Sequence, residues 1–283
     1  MAKNSSYSAV IIEYFSGDHL FKCLDSLLAQ TLQAKEIIVI NNGASDESIS
    51  KLEKYDKVQV VNPAANLGYA RAANLGIANT TADIVATLNP DIVLDRDCAE
   101  LLVGYLDENE KVGAVGPLIR EPDGFIYPSA RIEPGLKVAI GHAIFSLINR
   151  DNKFTRKYQN VDIDKQNPTK VDWLSGAAMF VTRDALNKVG MWDERYFMYC
   201  EDIDLCNSLR GNGFDIAFQP QAKITHVGGG SSGNANIKLL FIHHKSLYLF
   251  ACKKYKNQPL MKILALIFIG IRFPFAVIKS KIR

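Results

Sequence analysis

The 283-residue sequence has no aspartate or glutamate after Asp215, although eleven lysines and arginines follow it. A formal net charge of +3 therefore conceals a body, residues 1–215, with 22 basic against 30 acidic residues, and a tail that is basic throughout. Such a split implies two surfaces with different partners. Cysteine is scarce: Cys23, Cys98, Cys200, Cys206 and Cys252 are odd in number and include no C-x-x-C pair. That argues against a disulfide framework or a zinc knuckle and fits a reducing compartment. The opening MAKNSSYSAVIIEYF offers only a short apolar stretch containing Glu13, so no signal peptide is expected and a cytosolic protein is the default. The longest uninterrupted apolar run, 263–271, falls short of the ~20 residues that cross a bilayer. Neither G-x-x-x-x-G-K-[ST] nor G-x-S-x-G occurs, so a Walker-type ATPase and a nucleophile elbow are unsupported. Gly228, Gly230 and Gly233 satisfy G-x-G-x-x-G, but a dinucleotide fingerprint needs an acid ~20 residues later and none follows. The loop is left as a candidate flap over a phosphate.

What is present reads as an ordinary globular composition, 48% apolar and 22% charged. In the first third, YSAVIIEYF (7–15), EIIVI (36–40), VQVV (58–61) and DIVATL (83–88) read as strands. Between them, Leu20, Leu24, Leu27 and Leu28, then Ile49 and Leu52, then residues 67–79 follow helical spacing. This alternation predicts an α/β fold with a mostly parallel sheet flanked by helices, whose ligands bind outside the carboxyl ends of the strands. Residues 119–170 are less regular and Pro-punctuated, with one helix-like stretch, LKVAIGHAIFSLI. VDWLSGAAMFV (171–181) reads as one strand, followed by a helix capped by Thr182 and closed by Gly190. Ile203, Cys206 and Leu209 share a helical face, which places Glu201, Asp202 and Asp204 in or near a helix's first turn. Residues 236–283 predict two helices broken near Pro259, a basic and apolar pair suited to an anionic membrane surface. Packing on the main domain, residues 1–235, or on a second copy of the chain is the alternative. Nucleic-acid binding is not expected.

Three stretches carry chemistry. NPD (89–91) ends an apolar strand, and Asp91 there can hold Mg²⁺ or Mn²⁺ when phosphates supply further ligands. Alone, the motif favours a plain turn. His226 is a second candidate ligand, although a lone histidine is more often structural. NLGYARAANLG (66–76) presents Asn66, Gly68, Arg71 and Asn74, suited to a phosphate and to close backbone approach of a nucleotide. FMYCEDIDLC (197–206) crowds Glu201, Asp202 and Asp204 between aromatic and apolar neighbours. A calcium loop fails there, because Cys206 and Asn207 stand where an oxygen ligand and glycine belong. Capping of a helix start explains one or two acids on a solvated face, but not enclosure by Phe197, Tyr199 and Leu205.

Taken in order, VIIEYFS, IIVINNGASDES, NLGYARAANLGI, LNPD and the long block from WLSGAAMFV through EDIDLC to ITHVGG resemble the inverting family 2 glycosyltransferases of GT-A fold. The likeness is greatest to their bacterial rhamnosyltransferase branch and spans about residues 7–230. E-D-x-D-L at this distance from N-P-D and H-x-G-G is a specific combination.

The resemblance implies a GT-A domain with nucleotide-sugar binding over about 1–118 and an acceptor and catalytic part over about 119–235. Asn41, Asn42 and Glu13 would lie at the base and ribose, with Asn66, Gly68, Arg71 and Asn89 also nucleotide-binding. Asp91 and His226 would complete a divalent-metal site, Mg²⁺ or Mn²⁺. Asp202 matches the general base, supported by Glu201 and Asp204, while Trp173, Ser175, Gly176 and Tyr199 would wall the sugar and acceptor. The implied donor is dTDP-L-rhamnose and the implied acceptor a lipid-linked or growing cell-surface polysaccharide. The protein would sit peripherally on the inner face of the cell membrane, with a homo-oligomer left open. The family usually has Asp where this chain has Asn41, and often Thr or Asn where it has Glu13. Those departures keep two alternatives in view: a transferase for a UDP-linked hexose or N-acetylhexosamine, and a catalytically silent nucleotide-sugar-binding scaffold.

Overall fold

The computed structural model describes residues 4–43, 46–133, 135–146, 149, 151–227 and 237–282. The strands are β1 (Tyr7–Glu13), β2 (Glu36–Asn41), β3 (Val58–Val61), β4 (Ile84–Leu88), β5 (Ile92–Leu94), β6 (Val112–Arg120), β7 (Ile126–Tyr127), β8 (Ala130–Arg131), β9 (Thr169–Val171), β10 (Trp173–Leu174), β11 (Ala178–Thr182) and β12 (Asp215–His226). The helices are α1 (Asp18–Leu28), α2 (Asp46–Leu52), α3 (Tyr69–Ala78), α4 (Cys98–Glu108), α5 (Leu136–Phe145), α6 (Lys153–Gln159), α7 (Arg183–Val189), α8 (Glu201–Gly211), α9 (Ile237–Lys254) and α10 (Pro259–Ile282).

Every residue of β1 is buried, as a strand covered by helices on both faces requires. Its alternate residues feed two cores. Tyr7, Ala9 and Ile11 join Leu20, Leu24 and Leu27 of α1 and Leu102 of α4. Val10 and Ile12 join Ala70 and Ile77 of α3, Leu186 of α7 and Leu205 and Leu209 of α8. The main sheet runs β3-β2-β1-β4-β11-β6-β12-β5. β1 is parallel to β2 and β4, and β12 to β6, while β11 runs antiparallel to both β4 and β6. Four of the seven pairings along that order are parallel, so the sheet is mixed with a parallel majority along its main path, in line with the expected fold. The chain order reverses beside β1, which opens a crevice at the carboxyl ends of β1 and β4.

Thr182 caps α7 by accepting a hydrogen bond from the Ala185 N–H, and Gly190 closes it at a φ of 79°, both as expected. The single strand expected over 171–181 is instead three short pieces. It breaks at Ser175–Ala177 because the Gly176 N–H is drawn out to donate to the Asp202 carboxylate, 3.1 Å away.

The C-terminal helices break at Pro259, which starts α10 where its missing N–H costs nothing. α9 is tied to the body: Lys253 Nζ lies 2.6 Å from Asp204 Oδ2, and Ser246 Oγ donates to the Met198 carbonyl at 2.7 Å. Packing on the main domain thus accounts for part of the basic tail. The reading of the apolar run as too short is corrected: Pro259–Ile278 is long and apolar enough to cross a membrane by length and composition, with mean hydropathy 2.1. Lys262 and Arg272 interrupt the run without lowering that mean much.

Candidate active site

Residues at the carboxyl edge of β1, β2 and β4 converge on the crevice, and parallel pairing sets Glu13 beside Asn41. Several expected nucleotide contacts are committed to building its rim. Glu13 is 1% exposed; its Oε1 accepts from the Ser16 N–H at 2.9 Å and its Oε2 from Ser16 Oγ. Burial pushes this carboxyl above the usual range, against the pull of the Ser16 bonds. Asn42 is buried and clamps two loops, accepting from Leu67 N–H at 2.7 Å and donating to the Gly68 carbonyl at 3.3 Å. Asn66 accepts from Gly68 N–H at 2.8 Å. Asn41 Nδ2 donates to Asn62 Oδ1 at 2.8 Å. Asn89 shows its backbone at work, with its N–H donating to the Ala177 carbonyl at 2.9 Å. Gly68 is required by packing: its φ is 77°, and a Cβ there would stand 2.4 Å from the Phe197 carbonyl oxygen. Arg71, expected near a phosphate, instead pairs with Glu194 at 3.4 Å on an exposed surface.

Asp91 and His226, remote in sequence, meet because β12 pairs antiparallel with β5, setting His226 opposite Ile92. His226 Nε2 stands 3.2 Å from Asp91 Oδ1, yet that buried oxygen has no hydrogen bond of acceptable geometry. An orphaned carboxylate oxygen beside an imidazole nitrogen fits a hard divalent cation completed by phosphate oxygens. Burial opposes ionisation of Asp91, but the His226 contact and charge outweigh it and hold the carboxyl below its usual range. His226 is correspondingly raised by Asp91. The glycine loop expected as a flap, 228–233, lies outside the described residues.

The acidic cluster sits as expected in the first turn of α8, whose N-cap Cys200 has a left-handed φ of 65°. Its three acids differ in environment. Asp204 faces inward to Lys253 and to Tyr196, whose hydroxyl donates at 3.2 Å, so it fastens α8 to α9. Asp202 accepts two backbone N–H groups, from Gly176 at 3.1 Å and Ile203 at 2.8 Å. Glu201 is 8% exposed and its Oε2 has no hydrogen-bond partner. Burial, then the Asp202 charge, pushes Glu201 to about 8. Burial raises Asp202 as well, but the two N–H donors and the Arg131 charge pull the other way. The backbone donors thus favour negative charge on Asp202, while Glu201, with no donor at Oε2, is the carboxyl that burial more readily keeps protonated.

Asp202 and Glu201 line a cavity of about 510 Å³, together with the expected Trp173, Ser175 and Tyr199. Gly176 backs it through its bond to Asp202, and its carbonyl accepts from Tyr69 OH at 2.8 Å. Tyr127 connects the two halves of the site: its ring lies 6.5 Å from that of His226, and its hydroxyl accepts from Arg131 at 2.9 Å. The sequence reading missed Tyr127 and Arg131, which lie in the irregular middle, and the cavity wall that α9 and α10 supply through His243, Phe250 and Arg272. No periodicity marks such residues, because long-range packing brings them in.

Comparison with known proteins fits a group-transfer enzyme built on this sheet edge. The chain belongs to Glycosyl transferase family 2, which matches residues 8–190. It is 33% identical over 260 residues, 88% of this chain and 84% of the relative, to the N-acetylglucosaminyl-diphospho-decaprenol L-rhamnosyltransferase of Mycobacterium tuberculosis. Its fold is that of a mannosyltransferase from Pyrobaculum calidifontis solved with GDP-Man and Mn²⁺, at TM-score 0.63 and 15% identity, covering 99% of this chain and 74% of that one. It also matches GalNAc-T7, solved with UDP, GalNAc and Mn²⁺, at TM-score 0.60 and 13% identity, covering 95% of this chain and 55% of that one. The expected fold, with its flanking helices and C-terminal helical extension, and the expected glycosyltransferase class both stand.

Proposed function

We propose that the protein is an inverting glycosyltransferase that moves L-rhamnose from dTDP-L-rhamnose onto a lipid-linked saccharide in cell-surface polysaccharide synthesis. The observation that carries the mechanism is the asymmetric pair on α8: Asp202 receives two backbone N–H donors, and Glu201 Oε2 beside it is buried without a hydrogen-bond partner. Inversion takes one in-line displacement, in which the acceptor hydroxyl loses its proton as its oxygen attacks the anomeric carbon. Asp202 takes that proton. Burial and the Asp202 charge favour the protonated form of Glu201, which limits a second negative charge beside the base. Trp173 and Ser175, with Gly176 behind them, wall the sugar, while α9 and α10 form one side of the cavity. Asp91 and His226 would hold Mg²⁺ or Mn²⁺, which when bound neutralises charge on the departing nucleoside diphosphate. The similarity to the mycobacterial rhamnosyltransferase supports the choice of donor and acceptor.

A peripheral seat on the inner membrane face is part of the same proposal. One side of α10 lines the cavity through Ala265, Phe268, Ile269 and Arg272. The other exposes Leu260, Ile263, Ile267, Ile271, Phe275 and Ile278, each more than half exposed. A helix bound to its domain by one face and apolar on the other suits lying along a bilayer surface rather than spanning it. The test of function is thermal stabilisation by nucleotides with Mn²⁺, since a ligand bound only to the native state raises its stability. A larger shift with dTDP than with UDP is expected. A preference for UDP points to the hexose or N-acetylhexosamine alternative, and no shift with any nucleotide overturns the enzyme reading.

A further inference from the structure

Two arginines line the Asp202 cavity without a carboxylate partner among the described residues. Arg131 donates through Nε to the Pro128 carbonyl at 2.7 Å and through one terminal nitrogen to Tyr127 OH, and its guanidinium lies 4.7 Å from the Trp173 ring centroid. Arg272, on α10, donates to His244 Nε2 at 3.0 Å, and its Nε is buried with no partner at all. Buried charges are ordinarily paired, because removing an ion from water costs several kcal/mol. Here dipoles, the Trp173 face and the charge of Asp202 act on Arg131, while Arg272 leans on the His244 imidazole nitrogen.

The surroundings leave part of that positive charge unneutralised. His142 and His243 line the same cavity, and each is pushed down to about 4, by burial first and then by the charge of Arg272. His244 donates through Nδ1 to the Leu240 carbonyl and accepts Arg272 at Nε2, which is a neutral tautomer. Lys254 on the same wall is neutralised by Glu133 at 2.5 Å. The charge of Asp202 acts on Arg131, whereas Arg272 has no carboxylate in ion-pair range among the described residues. Part of the wall is apolar: Leu247 and Phe250 come from α9, Phe268 and Ile269 from α10. A cationic end joined to an apolar wall matches an amphiphile with an anionic head.

We infer that Arg131 and Arg272 form a seat for the phosphoryl group of a prenyl-diphosphate acceptor, whose hydrocarbon chain lies along Leu247, Phe250, Phe268 and Ile269. This deepens the proposed transfer reaction and rests on it. The donor's diphosphate would be held through a divalent cation at Asp91 and His226, so the two anions would be held by different groups. Arg272 also explains why the tail helices belong to the catalytic unit: α10 brings the second guanidinium to the acceptor while its far face meets lipid.

The test is calorimetric titration of the full chain with farnesyl diphosphate, farnesol, inorganic pyrophosphate and dTDP, repeated on Arg272→Gln and Arg272→Lys. Farnesyl diphosphate is expected to bind at least about ten-fold (~1.4 kcal/mol) more tightly than farnesol or pyrophosphate. Arg272→Gln should remove that margin, Arg272→Lys should restore part of it, and dTDP affinity should stay unchanged in both, which also certifies folding. Equal binding of farnesol makes the seat non-anionic, and equal binding of pyrophosphate makes it a free-anion site; either overturns the inference. So does a matching loss of dTDP affinity in Arg272→Gln, which would assign the arginine to the donor. Those failures leave the transferase reading standing, whereas a wild-type chain that binds no nucleotide overturns that reading itself.

Discussion

Replacing Glu201 by glutamine probes the polarised carboxyl pair through stability alone. Burial, then the Asp202 charge, pushes the native Glu201 carboxyl from an ordinary 4.5 up to about 8, and its Oε2 has no hydrogen-bond partner. Between those values the folded state holds a proton that the unfolded chain releases, so this group's contribution to stability is complete below pH 4.5 and is lost as pH rises toward 8. At ~1.4 kcal/mol per unit, the loss amounts to roughly 4–5 kcal/mol in full. Glutamine resembles the protonated acid and carries no such dependence, although its amide nitrogen inherits a site without an acceptor, costing about 1–3 kcal/mol. Urea denaturation from pH 5 to pH 9 should therefore show wild type weakening with pH relative to Glu201→Gln. The variant should be equal or less stable at pH 5 and about 2 kcal/mol more stable near pH 9. Parallel curves for the two proteins would refute the claim that Glu201 keeps the proton.

Other consequences follow from single contacts. Gly68→Ala forces a side chain onto a φ of 77° and against the Phe197 carbonyl; a loss of at least about 1–3 kcal/mol is expected in chemical denaturation. Lys253→Met strands Asp204, which is 2% exposed, while Lys253 itself is 34% exposed. Discounting a buried-pair loss for that exposure leaves about 2–3 kcal/mol, measurable as a lower urea midpoint with an unchanged slope. Asp91→Ala should abolish Mn²⁺-dependent strengthening of dTDP binding, seen in titrations with and without the metal, and a variant that still responds to Mn²⁺ would place the cation elsewhere. Removal of residues 259–283 should release the protein from anionic vesicles in flotation; continued binding would contradict the part given to α10.

Much of the frame was legible in the sequence, for physical reasons that particular segments show. EIIVI and VQVV are short apolar runs bounded by turn residues, so β2 and β3 follow from period and punctuation. Thr182 and Gly190 carry cap chemistry that fixes α7 locally. The acids of α8 were placed in its first turn by the spacing of Ile203, Cys206 and Leu209. What escaped depends on contacts distant in sequence. The break at Gly176 exists because Asp202 competes for its N–H. That Asn42 and Asn66 also clamp loops, and that Arg71 also pairs with Glu194, is not visible in a linear motif. The division of labour between Asp202 and Glu201 also stays hidden in one dimension, since it turns on which carboxylate receives backbone donors.

The central claim, that Asp202 is the base of a rhamnosyl transfer, meets its most direct test in one paired measurement. Transfer of radiolabelled rhamnose from dTDP-L-rhamnose to an N-acetylglucosaminyl-diphospho-lipid is followed for wild type and Asp202→Asn, with dTDP affinity measured on the same preparations. Asparagine keeps an oxygen for the Gly176 and Ile203 N–H groups but cannot take a proton, so turnover should fall on the order of 10²–10⁴-fold while dTDP binds as before. Turnover that survives the substitution, or dTDP affinity lost together with it, contradicts the account.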